Sequence, residues 1–136
     1  MNNEKNEKKA LYHKELDVWK KSMDLVTVVY EITAKFPKEE IYCLTNQIRR
    51  SAISIPANIA EGSARKSQKE FSQFLSIALG SLAELDTEIE IAQKLGYLNS
   101  NEKSKLATYM NDIRKMIIGL MKSIEKRNAR RETRNV

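Results

Sequence analysis

Residues 67–99, SQKEFSQFLSIALGSLAELDTEIEIAQKLGYLN, decide the fold. Phe71, Leu75, Ala78, Leu82, Leu85, Ile89 and Ala92 recur at alternating steps of four and three. That spacing puts seven apolar side chains on one face of a helix that packs against other helices. Ser67 with Glu70 fits a capping box at the start, while Gly96 and Asn99 punctuate the end.

Working outward, the same period returns on both sides. From about Glu39 to Ala64, Ile41, Leu44, Ile48, Ala52, Ile55 and Ile59 share one face. Beyond a cap at Ser100 or Asn101, Leu106, Met110, Ile113, Ile117, Leu120 and Ile124 repeat the stripe. Residues 15–36 form a further breaker-free stretch, closed by Pro37, which biases Phe36 away from helical angles. Within it, Leu25–Tyr30 (LVTVVY) has strand-like propensity, but helical spacing continues on both sides, so the segment reads as helix. Four amphipathic helices with short connections predict an all-α chain folded as an antiparallel up-down four-helix bundle. The bundle spans residues 15–126. It is preceded by a basic, partly disordered segment 1–14 and followed by a basic tail, 127–136, which has lost its apolar stripe and reads as frayed.

Composition agrees with this architecture and removes other classes. The 136 residues suit one domain, and only four glycines and two prolines leave too few turns for a sandwich or barrel. No apolar run is long enough to span a bilayer, and MNNEKNEKKA lacks the apolar stretch of a signal peptide. Cys43 is the single cysteine, so no intramolecular disulfide forms and a cytoplasmic setting is expected. With His13 the only histidine, a multi-histidine metal site within one chain is impossible.

Catalytic signatures are missing too: Glu-x-x-His, Arg-x(4–6)-His, a phosphate-binding GxxxxGK[ST] loop and GxGxxG do not occur. Glu84, Asp86, Glu88 and Glu90 are split between two sides of their helix and read as a solvated surface. Cys43 reads as a small core or interface residue, and Trp19 and the tyrosines as packing residues. The expectation is a protein without catalytic activity, metal or cofactor.

Surplus faces point instead to partners. On the first helix, Leu16, Trp19, Met23, Val26 and Tyr30 form one apolar line, and Val18, Leu25, Val29, Ile32 and Phe36 form a second. One line suffices for a bundle core, and wide apolar surfaces rarely stay exposed. On the third helix, Ser72, Ser76, Gly80, Ala83 and Thr87 make a column of small residues. Val18, Leu25, Val29, Ile32, Ser76, Gly80 and Ala83 are therefore expected at an interface between copies of the chain. On the second helix, Gln47, Arg50, Ser54, Asn58, Glu61 and Arg65 form a polar seam around Pro56. It reads either as a groove open to other contacts or as pairing within the helix, Glu61 with Arg65 for instance.

The net charge of +6 is concentrated at the ends. Residues 1–21 carry six basic and four acidic groups, residues 22–121 carry twelve of each, and residues 122–136 carry six basic and two acidic. Basic ends attract polyanions, of which RNA and DNA are the commonest in cytoplasm, though cations also suit a helix C-terminus. Candidate phosphate contacts are Arg49, Arg50, Arg65, Lys66 and Lys69 on the body, with Lys126, Arg127, Arg130, Arg131 and Arg134 at the C-terminal end.

Residues 47–98, QIRRSAISIPANIAEGSARKSQKEFSQFLSIALGSLAELDTEIEIAQKLGYL, carry a resemblance. Ser54–Gly62 (SIPANIAEG), Gly80–Leu85 (GSLAEL) and the opening Leu16-Asp17-Val18-Trp19 resemble the bacterial four-helix-bundle family encoded in intervening sequences of 23S rRNA genes. The likeness covers about residues 15–98; the fourth helix matches in pattern alone, and the basic tail is not part of the signature. The resemblance implies a homopentameric barrel. It also implies kinship with accessory proteins of diversity-generating retroelements, which bind nucleic acid and a reverse transcriptase. The function expected on that ground is a non-catalytic nucleic-acid-binding adaptor with RNA or DNA, itself and a reverse transcriptase as partners, and no membrane. The alternative is a protein-interaction scaffold that does not bind nucleic acid.

Overall fold

The computed structural model describes Lys8 and residues 12–134. Four helices, α1 (Asp17–Thr33), α2 (Leu44–Ser63), α3 (Gln68–Lys94) and α4 (Ser100–Arg134), account for most of them. Short 3-10 turns lie at His13–Glu15 and Lys38–Glu40, and no strand occurs among the described residues. Cross-helix contacts give the directions. Lys21 pairs with Asp112 at 3.3 Å and Lys35 with Glu102, so α1 and α4 run opposite ways. Ser54 meets Ser81 at 2.8 Å, while Gly62, further along α2, lies against Phe71 and Phe74, earlier in α3. Helices α3 and α4 are likewise antiparallel, joined by Lys103–Glu90 at 2.6 Å near their connection.

All seven stripe residues of α3, from Phe71 to Ala92, are buried in the centre. Facing them are Ile48, Ala52, Ile55 and Ile59 of α2, and Leu106, Met110, Ile113, Ile117 and Ile124 of α4. Each fully buried Leu, Ile or Phe contributes about 1.5–3 kcal/mol through the hydrophobic effect, and this stripe-to-stripe burial holds the bundle together. Residues 25–30 are helical as expected, because Leu25, Val28 and Val29 all enter that core. Two buried hydroxyls of α1 are satisfied locally: Ser22 donates to the Val18 carbonyl and Thr33 to that of Val29, both at 2.7 Å.

The turns follow their local chemistry. Ser67 Oγ accepts from the Glu70 amide at 3.2 Å and starts α3. At the other end, Gly96 has φ +80°, its amide donates to Gln93, and the Tyr97 amide donates to Ala92. That pair of bonds is a Schellman stop, which favours glycine at the left-handed position. The cap of α4 is Asn99, not Ser100 or Asn101. Its Oδ1 accepts from the Glu102 amide at 2.8 Å while Glu102 Oε1 accepts from the Asn99 amide at 3.0 Å.

The structure departs from expectation in three further places. Helix α2 begins at Leu44 and not near Glu39, because Glu40 turns back as a cap. Its carboxylate accepts from the Leu44 amide at 3.3 Å and from the Tyr97 hydroxyl at 2.8 Å. Ile41 and Cys43 are consequently exposed, neither one in the core.

Helix α4 runs on through the expected frayed tail to Arg134. Ile124 is its last buried residue among those described, so propensity more than packing extends it; the segment has no Gly or Pro and is rich in Arg. Finally, Val18, Leu25, Val29 and Ile32, expected between subunits, are buried inside their own bundle. The other line of α1 faces outward, with Leu16, Trp19 and Val26 half-buried and Met23 and Tyr30 exposed. Both lines are apolar, and only the seating of α1 against α2 and α4 selects one. The expectations for the rest of segment 1–14, for residues 135–136 and for the side chain of Arg134 lie outside the described residues.

Candidate nucleic-acid interface

The expected cations fall at two ends of the bundle. Arg49 lies near the start of α2, fourteen residues before its last residue, Ser63, about 21 Å along the helix at 1.5 Å per residue, and Arg65 lies just beyond that end. Arg49 is committed to the fold. Its Nε donates to Thr33 Oγ1 at 2.9 Å, and its guanidinium lies 4.3 Å from the Tyr30 ring centre. This stacked, half-buried arginine fastens α2 to α1 and is unsuited to a phosphate. Arg50, one residue on, is exposed and lines a cavity between α2 and α3.

The opposite end gathers the rest. Lys66 and Lys69 are exposed where the chain turns from α2 into α3. Arg65 lies over the Phe74 ring at 4.9 Å and meets Glu61 at 3.5 Å. Its stem is held by packing while its head stays partly in solvent. Lys69 shares a groove of about 520 Å³ with Glu125, Asn128 and Glu132, which brings the α2–α3 turn beside the last turns of α4. There Lys126, Arg127 and Arg130 are exposed, and Arg131 is half-buried and engaged. Lys8 joins this end: its ammonium donates to the Ser63 carbonyl at 2.5 Å and lies 4.9 Å from the Phe71 ring centre, and burial lowers its pKa. One end of the bundle therefore presents a cationic surface built from two chain segments distant in sequence. The cations on α4 also suit its negative dipole end.

The close approach that forms the turn depends on Gly62. A Cβ there would sit 2.7 Å from Phe74 Cβ and 2.9 Å from Phe71 Cδ1, so α2 could not lie this near α3 with any side chain. The rest of the polar seam closes largely on itself. Asn58 donates to the Ser54 carbonyl at 2.8 Å, and Glu61 pairs with Arg65 four residues on, so neither reaches out of its helix around the buried Pro56. The Ser54–Ser81 hydroxyl pair is the exception and bridges α2 to α3. In the small-residue column, Ser72 and Ser76 line the groove beside α4, Ser76, Gly80 and Ala83 are exposed, and a Cβ on Gly80 would meet nothing within 4 Å.

Sequence reasoning missed what happens on the other side of Arg50. Glu84 and Glu88, set aside as solvated, face the junction of α2 and α3. Burial pushes the Glu88 carboxyl up and the Glu84 charge adds to this, opposed by a hydrogen bond from Ser51. The available signal was their i,i+4 spacing, which places like charges on one face against propensity. No group of three or more His, Cys, Asp or Glu suited to a metal ion occurs among the described residues. Nor is any of their helices long and apolar enough to cross a membrane.

Comparisons with known proteins agree with the architecture. A protein of unknown function from the S23 ribosomal protein family of Bacteroides thetaiotaomicron VPI-5482 has a similar crystal structure. Its TM-score is 0.69 and its identity 25%, over 77% of this chain and 98% of that one. No curated protein matches the sequence. The family described as 23S rRNA-intervening sequence protein matches residues 14–119, the greater part of the bundle. This four-helix chain belongs to the 23S rRNA-intervening sequence protein family.

Proposed function

We propose that the protein is a non-catalytic, homo-oligomeric accessory protein that binds nucleic acid through the cationic end of its bundle. The observation that carries this reading is that exposed Lys66 and Lys69 lie at the same end of the bundle as exposed Lys126, Arg127 and Arg130, on either side of a groove that Lys69 shares with Glu125, Asn128 and Glu132. Repeated around an assembly, such ends sum weak phosphate contacts into useful avidity. The exposed Met23 and Tyr30 on α1 and the open surface at Gly80 supply faces for self-association. The family resemblance sets the expected number at five and makes a reverse transcriptase the natural protein partner. Base identity matters little in this reading, since phosphate contacts position without reading sequence.

Binding of a fluorescent single strand or duplex, measured across a salt series, tests the proposal. Affinity falls by about 0.7–0.9 log units per tenfold salt for each phosphate neutralised. Removal of residues 127–136 takes away four arginines and one glutamate beyond the last buried residue of α4. The truncated protein stays folded, binds more weakly and shows a flatter salt slope. Charge reversal at Lys66 and Lys69 has the same effect, and reversal at Arg50, at the far end, has less. Absence of binding at low salt overturns the reading and leaves the protein-interaction scaffold in its place. Light scattering checks assembly: a 15.7 kDa monomer at micromolar concentration refutes it. Gly80→Leu weakens assembly more than helicity if that face is shared between copies.

A further inference from the structure

The end of the bundle opposite the cationic surface carries a trough between the start of α2 and the last turns of α3. Two adjoining cavities of about 420 and 570 Å³ form it, with Tyr42 and Gln47 in the walls of both. Its chemistry is two-sided. Glu84 and Glu88 enter from α3 one turn apart, and neither has an ion-pair partner among the described residues. Glu88 Oε1 is buried without a hydrogen-bond partner. Arg50, in the wall opposite, forms an ion pair with neither. Beside the carboxylates lies an apolar shelf: Tyr42 is 89% exposed, Leu95 54% and Ile91 43%. Uncompensated like charge next to unburied apolar surface is a destabilising combination in an isolated chain.

We propose that this trough docks a segment of a partner protein that presents an arginine or lysine flanked by apolar side chains. A guanidinium between Glu84 and Glu88 would supply both missing counter-charges, in the forked geometry that suits carboxylates. The flanking apolar groups would cover Tyr42, Ile91 and Leu95. A nucleic acid does not fit, because its phosphates would meet two carboxylates. A metal ion lacks a third ligand of the usual kinds. The basic end of a second copy supplies the charge but not the apolar cover, since residues 127–136 carry no apolar stripe. The site is independent of the cationic end, so protein and nucleic acid would occupy opposite ends of one bundle.

The test uses the full chain and a fluorescein-labelled amphipathic peptide with two arginines four residues apart among leucines, plus a control with glutamates for the arginines. Fluorescence polarisation shows saturable binding of the arginine peptide and none of the control. The double variant Glu84→Gln/Glu88→Gln weakens the peptide by about tenfold or more, as loss of charge partners at an interface does. Tyr42→Ser, in an exposed turn with little bearing on folding, also weakens it, and neither variant alters binding of a labelled RNA strand. Equal binding of both peptides, or arginine-peptide affinity unchanged in both variants, overturns the proposal. So does a result in which no peptide binds and the variants dissociate the oligomer, because the trough is then an interface between copies.

Discussion

At the scale of single residues, two glycines on neighbouring helices have opposite meanings. Gly62 is held against Phe71 and Phe74 with no space for a methyl group, whereas Gly80 faces open space in a helix interior. Gly62→Ala is expected to destabilise the protein by about 1–3 kcal/mol through overpacking against two aromatic side chains. Gly80→Ala is expected to stabilise it by roughly 1 kcal/mol through helix propensity. Urea denaturation of the two variants decides the contrast, and equal effects would mean that α2 and α3 are further apart than described. Glu88 makes a second case. Its raised pKa means that the folded protein holds this proton more tightly than the unfolded chain does. Stability from that proton is full below the ordinary carboxylate range and is lost as pH rises toward the folded value. Glu88→Gln should therefore raise the melting temperature at pH 7 and leave it unchanged below about pH 4. A gain of the same size at both pH values would show that charge is not the cause.

Among the elements, α4 shows how a helix can be anchored at one end and unsupported at the other. Asn99 and Glu102 cap its start reciprocally, and Lys35 reaches from just past α1 to the same carboxylate. The Lys35 hydrogen bond foremost, then the Asn99 amide, hold the Glu102 carboxyl below its usual range. The stabilisation from Glu102 is thus present above the unfolded pKa and fades as pH falls through the depressed folded value. Asn99→Ala is expected to cost about 1 kcal/mol, and the accompanying Glu102→Gln change to flatten the acid limb of a stability-versus-pH curve. A curve of unchanged shape would remove Glu102 from the account. Past Ile124 no described residue of the same helix is fully buried, and Lys126, Arg127 and Arg130 are exposed to solvent or a ligand.

For the whole molecule, the consequence is polarity. Lysines and arginines collect where α2 turns into α3 and α4 ends, while Glu84, Glu88 and the exposed Tyr42 lie toward the other end. Separate sites predict additive binding: saturating the protein with the arginine–leucine peptide should leave its affinity for an RNA strand within about twofold, since sites without a shared network add nearly independently. Sedimentation of the two labelled ligands together should show both on one assembly. Mutual exclusion would place them on the same surface.

The apolar period alone determined the four helices, their short connections and the buried stripe of α3, because a 3.6-residue repeat leaves one face to bury whatever the partners are. Ser67 and Gly96 were legible for the same reason, as caps answer to local backbone needs. Which of two apolar lines on α1 turns inward was not legible. Val18, Leu25, Val29 and Ile32 compete with Leu16, Trp19, Met23, Val26 and Tyr30 on equal terms until α2 and α4 take their places. The start of α2 was hidden too, since Glu40 caps it in concert with Tyr97, fifty-seven residues away. The candidate cations were visible as residue types. Only tertiary packing spent Arg49 on Tyr30 and Thr33, set Lys69 beside the end of α4, and brought Glu84 and Glu88 to the α2–α3 trough. Periodicity specifies a face; which surface meets that face depends on how the helices sit against one another.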